Sequence, residues 1–324
     1  MIRPMLDLDY LRRYRVLPDP RWESAVADVF LGMEDLTRTR VTAHGFCPPA
    51  GPVLYATNST QRYDFLTFRG VTRRARQPVV TVTKAKSYHS RAFAPVLAHT
   101  GVIPLASRGY VLLMDAAQVV GRRLTDEEYR ACRDHLDRDV PLPSTALFEA
   151  LQTRPRRVLG VPFEPSRQPL RACWRAVYHA LLGEALRFAR ESVAAGFSVH
   201  MYPEGTVASR LGRGRIGLMS FAQALGVPVV PVGMSGCRQV YRGQSPVLRG
   251  GAVTVRFGDA YHPDLSALPA GFRPFHPDDE DAYRPTLQGA TDELMARLDA
   301  LLDPAYQHRD DHAHDGTVGT RRFV

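Results

Sequence analysis

Two short polar segments, each directly after an apolar run, carry the side chains best suited to chemistry. The first turn, residues 58–64, reads Asn-Ser-Thr-Gln-Arg-Tyr-Asp and follows the run 53–57. The second turn, residues 202–206, reads Tyr-Pro-Glu-Gly-Thr and ends a run that starts at Phe197. A carboxylate at such a place can accept a proton or orient the group that does. Taken alone, the second turn is also compatible with an ordinary loop.

Basic side chains accompany these turns. The chain has 42 Lys and Arg against 33 Asp and Glu, a net charge of +9, and its only lysines are Lys84 and Lys86. Guanidinium groups bind phosphate bidentately, so an anionic partner is expected. The arginines after the second turn either hold a phosphate or form a solvated basic loop. Residues 212–217 read Gly-x-Gly-x-x-Gly, but they lack the preceding strand and the acid ~20 residues later that a dinucleotide site requires.

Apolar runs alternate with helical periodicities, which places both turns at the ends of strands. Strands are predicted at 53–56, 78–83, 101–105, 197–202, 227–232 and 252–257, and amphipathic helices at 22–36, 171–195 and 291–302. This alternation favours a parallel sheet with functional residues at the carboxyl ends of its strands. The predicted fold class is α/β, a mixed and mostly parallel sheet flanked by helices, with an inserted subdomain.

Four parts are expected along the chain. Residues 1–40 are predicted to be a helical lead-in, 41–262 the main domain, 263–304 a C-terminal helical region and 305–324 a disordered polar tail. Within the main domain, residues 109–170 are predicted to be an insertion. Thr125 and Glu128 have the spacing of a capping box that starts a helix, and the prolines that follow indicate loop for most of the rest.

Composition excludes several other classes of protein. The four cysteines lie far apart without a CxxC pair, so neither a disulfide framework nor a metal site is expected. No apolar run approaches the ~18–20 residues of a membrane span, and the start does not resemble a signal peptide. A cytoplasmic protein is therefore expected. Basic residues without a nucleic-acid-binding module favour the inner, anionic membrane surface as partner over nucleic acid.

Segments between residues 40 and 260 resemble, in the right order, the motifs of the glycerol-phosphate and 1-acylglycerol-3-phosphate acyltransferases. The first turn stands where that family has Asn-His-x-x-x-x-Asp, and the second where it has Phe-Pro-Glu-Gly-Thr-Arg. Thr83-Lys84-Ala85-Lys86 is similar to its Ala-Lys segment, and 101–108 to its Gly-x-Ile-x-x-x-Arg motif. Residues 227–232 are similar to its Val-Pro-Ile-Val-Pro-Val strand.

The resemblance implies O-acyl transfer from acyl-CoA or acyl carrier protein to a lysophospholipid or glycerol-phosphate-type acceptor in phospholipid biosynthesis, without a bound cofactor. In that family a histidine takes the acceptor's proton and an aspartate orients the histidine, while arginines and the Pro-Glu-Gly-Thr turn hold the acceptor's phosphate. By position, Asp64 is the orienting carboxylate, close to Ser59 and Asn58. The implied acceptor-binding residues are Arg108, Pro203, Glu204, Gly205, Thr206, Arg210, Arg213 and Arg215.

The chain departs from the family pattern at two positions. Val207 replaces the arginine after Pro-Glu-Gly-Thr, and Ser59 stands where the histidine should be. A serine hydroxyl is a poor base, and losing a general base costs ~10²–10⁴-fold in rate.

Three alternatives follow from the missing histidine. The chain is a catalytically silent relative that binds lipid or acyl thioester, a slow enzyme with Asp64 as base, or an enzyme in which another histidine reaches the site. His89, just after Lys84 and Lys86, is the nearest candidate in sequence, with His99 next. A nucleophilic Ser59 is less favoured because no histidine is placed to activate it.

Overall fold

A seven-stranded sheet forms the centre of the protein. A computed structural model describes residues 6–14, 17–47, 49–89, 93–243 and 245–308. The strands in chain order are β1 (Thr39–His44), β2 (Leu54–Thr57), β3 (Val79–Lys84), β4 (Val102–Leu105), β5 (Arg156–Val158), β6 (Val161–Phe163), β7 (Ser198–Met201), β8 (Val229–Ser235) and β9 (Gly251–Phe257). The main sheet has the order β1-β9-β8-β2-β7-β3-β4, and β5 and β6 form a separate hairpin.

Most neighbouring strands of the main sheet are parallel. The exception is the pair β8 and β9, which is antiparallel. Helices cover both faces of the sheet. The α-helices are α1 (Leu8–Arg13), α2 (Pro20–Thr37), α3 (Asp64–Arg74), α4 (Phe93–His99), α5 (Arg108–Val120), α6 (Asp126–Arg138), α7 (Ala146–Thr153), α8 (Leu170–Ala194), α9 (Gly217–Leu225), α10 (Cys237–Val240), α11 (Pro277–Ala282) and α12 (Arg284–Asp299), with a 3₁₀ helix at Ala85–His89. The predicted fold class is confirmed.

Helix α8 is the longest helix of the described chain and packs against β4 and β7. Its predicted apolar stripe, from Trp174 through Val177 and Leu181 to Phe188, is buried. The helix ends one turn before β7, and Gly196 takes a φ of +85°, a left-handed conformation that suits glycine. The predicted unit of helix, glycine and strand leading into the second turn is therefore present.

Residues 109–170, the predicted insertion, are mainly helical, so the prediction of loop for most of this segment outside the helix that starts at Thr125 is wrong. The capping box at α6 forms as predicted, since Glu128 N donates to Thr125 Oγ1 at 3.2 Å and Thr125 N donates to Glu128 Oε2 at 2.8 Å. Helices α5 and α7 and the hairpin of β5 and β6 occupy much of the remainder. The prolines mislead because they mark the ends of short elements, as Pro169 does before α8, or lie in an edge strand, as Pro162 does.

Both ends of the described chain belong to the fold. The lead-in is helical as predicted, but Leu8 and Leu11 of α1 are buried in the core, and β1 crosses the expected boundary at residue 40. At the other end, Tyr306 is buried and its carbonyl accepts a hydrogen bond from Leu211 N at 2.8 Å. Residues 305–308 are therefore packed, unlike the predicted tail, of which residues 309–324 lie outside the described part. Within the described ranges, no helix combines the length and apolar character needed to cross a bilayer.

Candidate functional site

The two turns lie next to each other at one edge of the sheet. Strands β2 and β7 are parallel neighbours, with Ala56 paired to Met201, so both chains leave the sheet at the same edge. The backbone N–H of Ser59 donates to Glu204 Oε2 at 3.0 Å. The backbone N–H of Ala208 donates a hydrogen bond to Ser59 O at 2.9 Å. The segment that follows the second turn therefore lies over Ser59.

Asp64 is the first residue of α3, and its carboxylate accepts hydrogen bonds from backbone and side-chain donors. Its Oδ2 accepts the backbone N–H groups of Thr60 at 3.0 Å and Gln61 at 3.2 Å, and its Oδ1 accepts the hydroxyl of Tyr202 at 2.7 Å. The side chain is only 1% exposed. Burial raises the pKa of Asp64 to about 6, although hydrogen bonds from Tyr202, the two backbone N–H groups and Ser59 oppose this shift.

Tyr202 is a functional candidate that the sequence did not single out. It stands where the related motif has phenylalanine, so its hydroxyl is an added group. That hydroxyl occupies the Asp64 oxygen that the two backbone donors leave open. The tyrosine at this motif position was visible in the sequence, but only the 2.7 Å hydrogen bond shows that it contacts Asp64.

No histidine side chain of the described residues forms a hydrogen bond with Asp64. His200 lies in β7, two residues before Tyr202, and its Nε2 is 2.8 Å from Thr57 Oγ1. Burial lowers the pKa of His200 to about 3. It is therefore neutral and a poor base. His99 stacks on a tryptophan of α2. The side chain of His89, the nearest candidate in sequence, lies outside the described part of the structure.

Glu204 joins the two loops through both of its carboxylate oxygens. Its Oε1 accepts the N–H of Gly212 at 2.8 Å, and its Oε2 accepts the N–H of Ser59 at 3.0 Å. Burial raises the pKa of Glu204 to about 7, the charge of Asp64 raises it further, and Lys84, at the end of β3, lowers it. The carboxylate is thus engaged by the protein itself.

The rest of the second turn is tied to the segment after it. Pro203 is buried, and its carbonyl oxygen accepts a hydrogen bond from Arg215 N at 2.9 Å. Arg215 Nε donates to Glu204 O at 3.1 Å. Gly205 has a φ of +61°, a left-handed conformation, while Thr206 is partly buried beside it. These contacts fix the turn in one shape.

The side chain of Asn58 is hydrogen-bonded to the backbone of β8. Its Nδ2 donates to Met234 O at 3.0 Å, and Met234 N donates to Asn58 Oδ1 at 2.8 Å. Because both ends of the amide are engaged and the side chain is 1% exposed, Asn58 fixes the first turn against β8.

A cluster of arginines lies beside the turns, partly contributed by the insertion. Arg108, the first residue of α5, and Arg133 of α6 both pair with Asp137, at 2.7 Å and 2.5 Å. Burial raises the pKa of Tyr178 in α8, the charges of Arg108, Arg215 and Arg133 each lower it, and the charge of Glu280 raises it, so these charged groups all act on the same phenol. Arg133 and Tyr178 were not found from the sequence because neither belongs to a motif of the resemblance.

The other basic candidates lie in less defined surroundings. Arg210 donates to the carbonyl oxygens of Pro304 at 3.1 Å and Gln307 at 3.4 Å, so the C-terminal segment engages it. Arg213 is exposed and its side chain has no hydrogen bond or ion pair with the described residues. Lys86 is half-buried in the 3₁₀ helix after β3.

Comparison with solved structures finds proteins of similar fold. The chain is similar to the crystal structure of the 1-acyl-sn-glycerophosphate (LPA) acyltransferase PlsC from Thermotoga maritima, with 14% sequence identity and a TM-score of 0.43. The similarity covers 85% of this chain and 80% of that one. No protein-family profile matches the chain, and no curated protein sequence matches it either.

Proposed function

We propose that this protein is a slow O-acyltransferase that moves a fatty acyl group from an acyl thioester to a lysophospholipid or glycerol-phosphate-type acceptor, with Asp64 as the general base. The observation that carries the proposal is the environment of Asp64. Its pKa of about 6 is close to the ordinary histidine value of about 6.5. General-base catalysis is most effective when the pKa of the base lies near the working pH. Burial therefore gives this carboxylate the basicity that the missing histidine would have supplied.

Ser59 is placed to carry the proton. Its hydroxyl forms a hydrogen bond with the Asp64 carboxylate, which lowers the pKa of Asp64. The acceptor's hydroxyl gives its proton to Ser59 Oγ while Ser59 gives its own to Asp64. The acceptor oxygen then attacks the thioester carbonyl carbon, the C–S bond breaks, and the departing thiolate takes the proton back from Asp64 along the same route.

The arginine cluster supports the choice of a phosphorylated acceptor. Arg215 bonds to the second turn, and the charges of Arg108, Arg133 and Arg215 all act on Tyr178, so a phosphate dianion bound there would be attracted by three guanidinium groups. The buried Nε of Arg133 has no hydrogen-bond partner, so it is available to an added acceptor. Arg133 here takes the place of the motif arginine that Val207 replaces. Acyl-CoA or acyl carrier protein is the proposed donor.

An exposed apolar stripe on α2 supports contact with a membrane surface. Trp22, Val29 and Leu36 are 44%, 70% and 85% exposed, and their spacing of seven residues puts them on one face of the helix. An amphipathic helix of this kind binds in the interfacial region of a bilayer. With the net charge of +9, we propose that the protein binds peripherally to an anionic membrane, on its inner face.

The test of the proposed activity is release of the donor thiol. Purified protein, oleoyl-CoA and lysophosphatidic acid are mixed, and free CoA thiol is measured with and without the acceptor. Acceptor-dependent release is expected, and Asp64→Asn is expected to lower it by at least about 100-fold because the general base is lost. Ser59→Ala, which keeps Asp64, is expected to give a smaller decrease. Equal rates in all three proteins would refute the role of Asp64.

A catalytically silent relative is the second candidate, and one observation favours it. Asp64 already accepts hydrogen bonds from Tyr202, Thr60 and Gln61, so a proton must compete with donors that are in place. In that case calorimetry shows that oleoyl-CoA or lysophosphatidic acid binds to the unmodified protein, while thiol release by the unmodified protein equals that by Asp64→Asn. Binding without acceptor-dependent release therefore selects the silent relative.

A further inference from the structure

A basic cavity lies at the edge of the sheet opposite the two turns. It has a volume of about 610 Å³, and Val79 and Phe197, at the amino ends of β3 and β7, line it. From Phe197 to Tyr202 the strand rises roughly 16 Å at about 3.3 Å per residue. The cavity is therefore a different place from the candidate acyltransferase site.

Arginines dominate the wall of this cavity. They are Arg69, Arg73, Arg74 and Arg76. Among the described residues of the wall, Glu23 is the one carboxylate, and its Oε1 accepts a hydrogen bond from Arg69 at 2.9 Å. Glu34, behind the wall, pairs with Arg74. Two of the four guanidinium groups are thus compensated by carboxylates.

The other two arginines have no carboxylate partner among the described residues. Arg73 donates to the hydroxyl of Ser24 at 2.9 Å, and the guanidinium of Arg76 has no hydrogen bond or ion pair there. Arginines in the last turn of a helix are ordinary, because they complement the negative end of its dipole. Arg73 belongs to that last turn of α3, whereas Arg76 lies beyond the end of the helix, and both side chains are exposed. The dipole therefore accounts for Arg73 but not for Arg76.

Arg76 is held at a position that usually takes glycine. Its φ is +57°, and two backbone hydrogen bonds close the end of α3, from Arg76 N to Arg73 O at 3.0 Å and from Gln77 N to Thr72 O at 2.9 Å. This is the Schellman pattern, in which glycine is common because an L side chain is disfavoured there. An arginine at this place keeps a cationic group on the cavity wall against the local conformational preference.

We propose that this cavity is a second binding site, for the dianionic phosphoryl group of an organic phosphomonoester. A phosphomonoester dianion balances the two uncompensated charges of Arg73 and Arg76, whereas a carboxylate balances only one. Guanidinium groups also match phosphate oxygens bidentately. Pro78, Val79 and Phe197 provide an apolar wall for the organic part, and the volume lies within the range of about 300–1,000 Å³ typical of ligand sites. The phosphomonoester comes either from a soluble molecule or from a lipid headgroup.

Two probes distinguish these sources on the full-length protein. Phenyl phosphate, followed by calorimetry, tests a soluble phosphomonoester. Vesicles of phosphatidylcholine with one-fifth phosphatidic acid, compared with phosphatidylcholine alone, test a headgroup. Binding to at least one probe is expected. Arg73→Gln/Arg76→Gln is expected to weaken it at least tenfold, because two charge-assisted contacts are lost.

The matched control removes two other arginines. Arg130→Gln/Arg167→Gln changes the net charge equally, and both side chains are exposed without a hydrogen bond or ion pair to the described residues. This variant is expected to bind the probe as the unmodified protein does. Arg108→Gln/Arg133→Gln, which removes two arginines of the proposed acceptor site, is expected to keep the probe binding that Arg73→Gln/Arg76→Gln loses, which separates this cavity from the acyltransferase site.

Arg76→Gly separates binding from stability. Glycine suits the left-handed backbone, so the melting temperature is expected to rise by roughly 2 °C while the affinity for the probe falls. The proposal is overturned if neither probe binds the unmodified protein, or if Arg73→Gln/Arg76→Gln and the control variant bind equally well.

Discussion

At the scale of single residues, Asp64 and Tyr202 form a buried hydrogen-bonded pair, with the Tyr202 hydroxyl 2.7 Å from Asp64 Oδ1. Ser59 stands at the position that has histidine in the motif of the resemblance, and no histidine side chain of the described residues bonds to this carboxylate. A buried carboxylate oxygen without a donor would be unstable. The tyrosine supplies that donor to Oδ1 in the folded protein.

This pairing predicts the outcome of restoring the histidine. Ser59→His alone is expected to raise acyl transfer only slightly, because Tyr202 still occupies Asp64. Ser59→His/Tyr202→Phe is expected to raise it by at least about tenfold, since the freed oxygen can now orient the new imidazole. Acceptor-dependent thiol release measures both variants, and Tyr202→Phe alone is the control. Equal rates for the single and double histidine variants would contradict the pairing.

Glu204 predicts a pH-dependent stability difference. Burial raises its pKa from 4.5 to about 7, so the folded state keeps a proton that the unfolded state has lost between those values. Its contribution to the free energy of unfolding therefore decreases as pH rises from about 4.5 to 7. Glu204→Gln is expected to be less stable, by roughly 1–3 kcal/mol near pH 5, because one backbone N–H then loses its acceptor.

Urea titrations of both proteins at several pH values check the Glu204 prediction. The stability difference between the unmodified protein and Glu204→Gln is expected to shrink from pH 5 to pH 7.5. A difference that grows over this range would mean that Glu204 is ionised in the folded state at pH 5.

At the scale of elements, residues 109–170 are held together by a buried ion pair. Arg156 of the β5–β6 hairpin binds Asp115 of α5 with both Nε and Nη2, at 2.6 Å and 2.7 Å, and Trp174 Nε1 of α8 donates to the same carboxylate at 2.7 Å. The side chain of Asp115 is fully buried and that of Arg156 is 7% exposed. One carboxylate thus connects three elements.

Removal of this carboxylate is expected to be costly. Asp115→Ala leaves a buried guanidinium and an indole N–H without their acceptor, and a loss of about 3–5 kcal/mol is expected. Denaturation in urea, followed by circular dichroism, measures it. The control is Asp134→Ala, whose ion pair with Arg138 is exposed and is expected to cost less than about 1 kcal/mol. Similar losses in both variants would contradict the structural role given to Asp115.

The elements that form the candidate site could be predicted because their signals are local. The strands before both turns are short apolar runs, and α8 has a continuous apolar stripe that ends at Gly196. The neighbouring positions of the two turns followed from a parallel sheet, since β2 and β7 then end at one edge.

Other features could not be predicted because they depend on contacts distant in sequence. β1 has five positions that are not fully buried, so it shows no apolar run, and only its pairing with β9 makes it a strand. The helices of the insertion are separated by prolines, which indicated loop. Likewise, Arg133 reaches the site only because α6 packs against α5 and α8.

At the scale of the whole molecule, α2 is expected to set membrane binding. Val29→Glu/Leu36→Glu places two charges on the apolar stripe, and binding to phosphatidylcholine–phosphatidylglycerol vesicles in a flotation assay is expected to fall by at least about tenfold. Tyr10→Glu/Val140→Glu is the matched control, because these side chains are 40% and 45% exposed and belong to other segments, α1 and the residues after α6. Equal binding of the two double variants would rule out α2 as the membrane contact.

The proposed acyl transfer requires Asp64 to act as the base. The most direct measurement is the pH dependence of acceptor-dependent thiol release from oleoyl-CoA, from pH 4.5 to 8.5. The rate is expected to rise about tenfold per pH unit below pH 6 and to level off above it, because only ionised Asp64, with its pKa of about 6, accepts the proton. Acceptor-dependent release that does not change over this range, or its absence at every pH, would contradict the account.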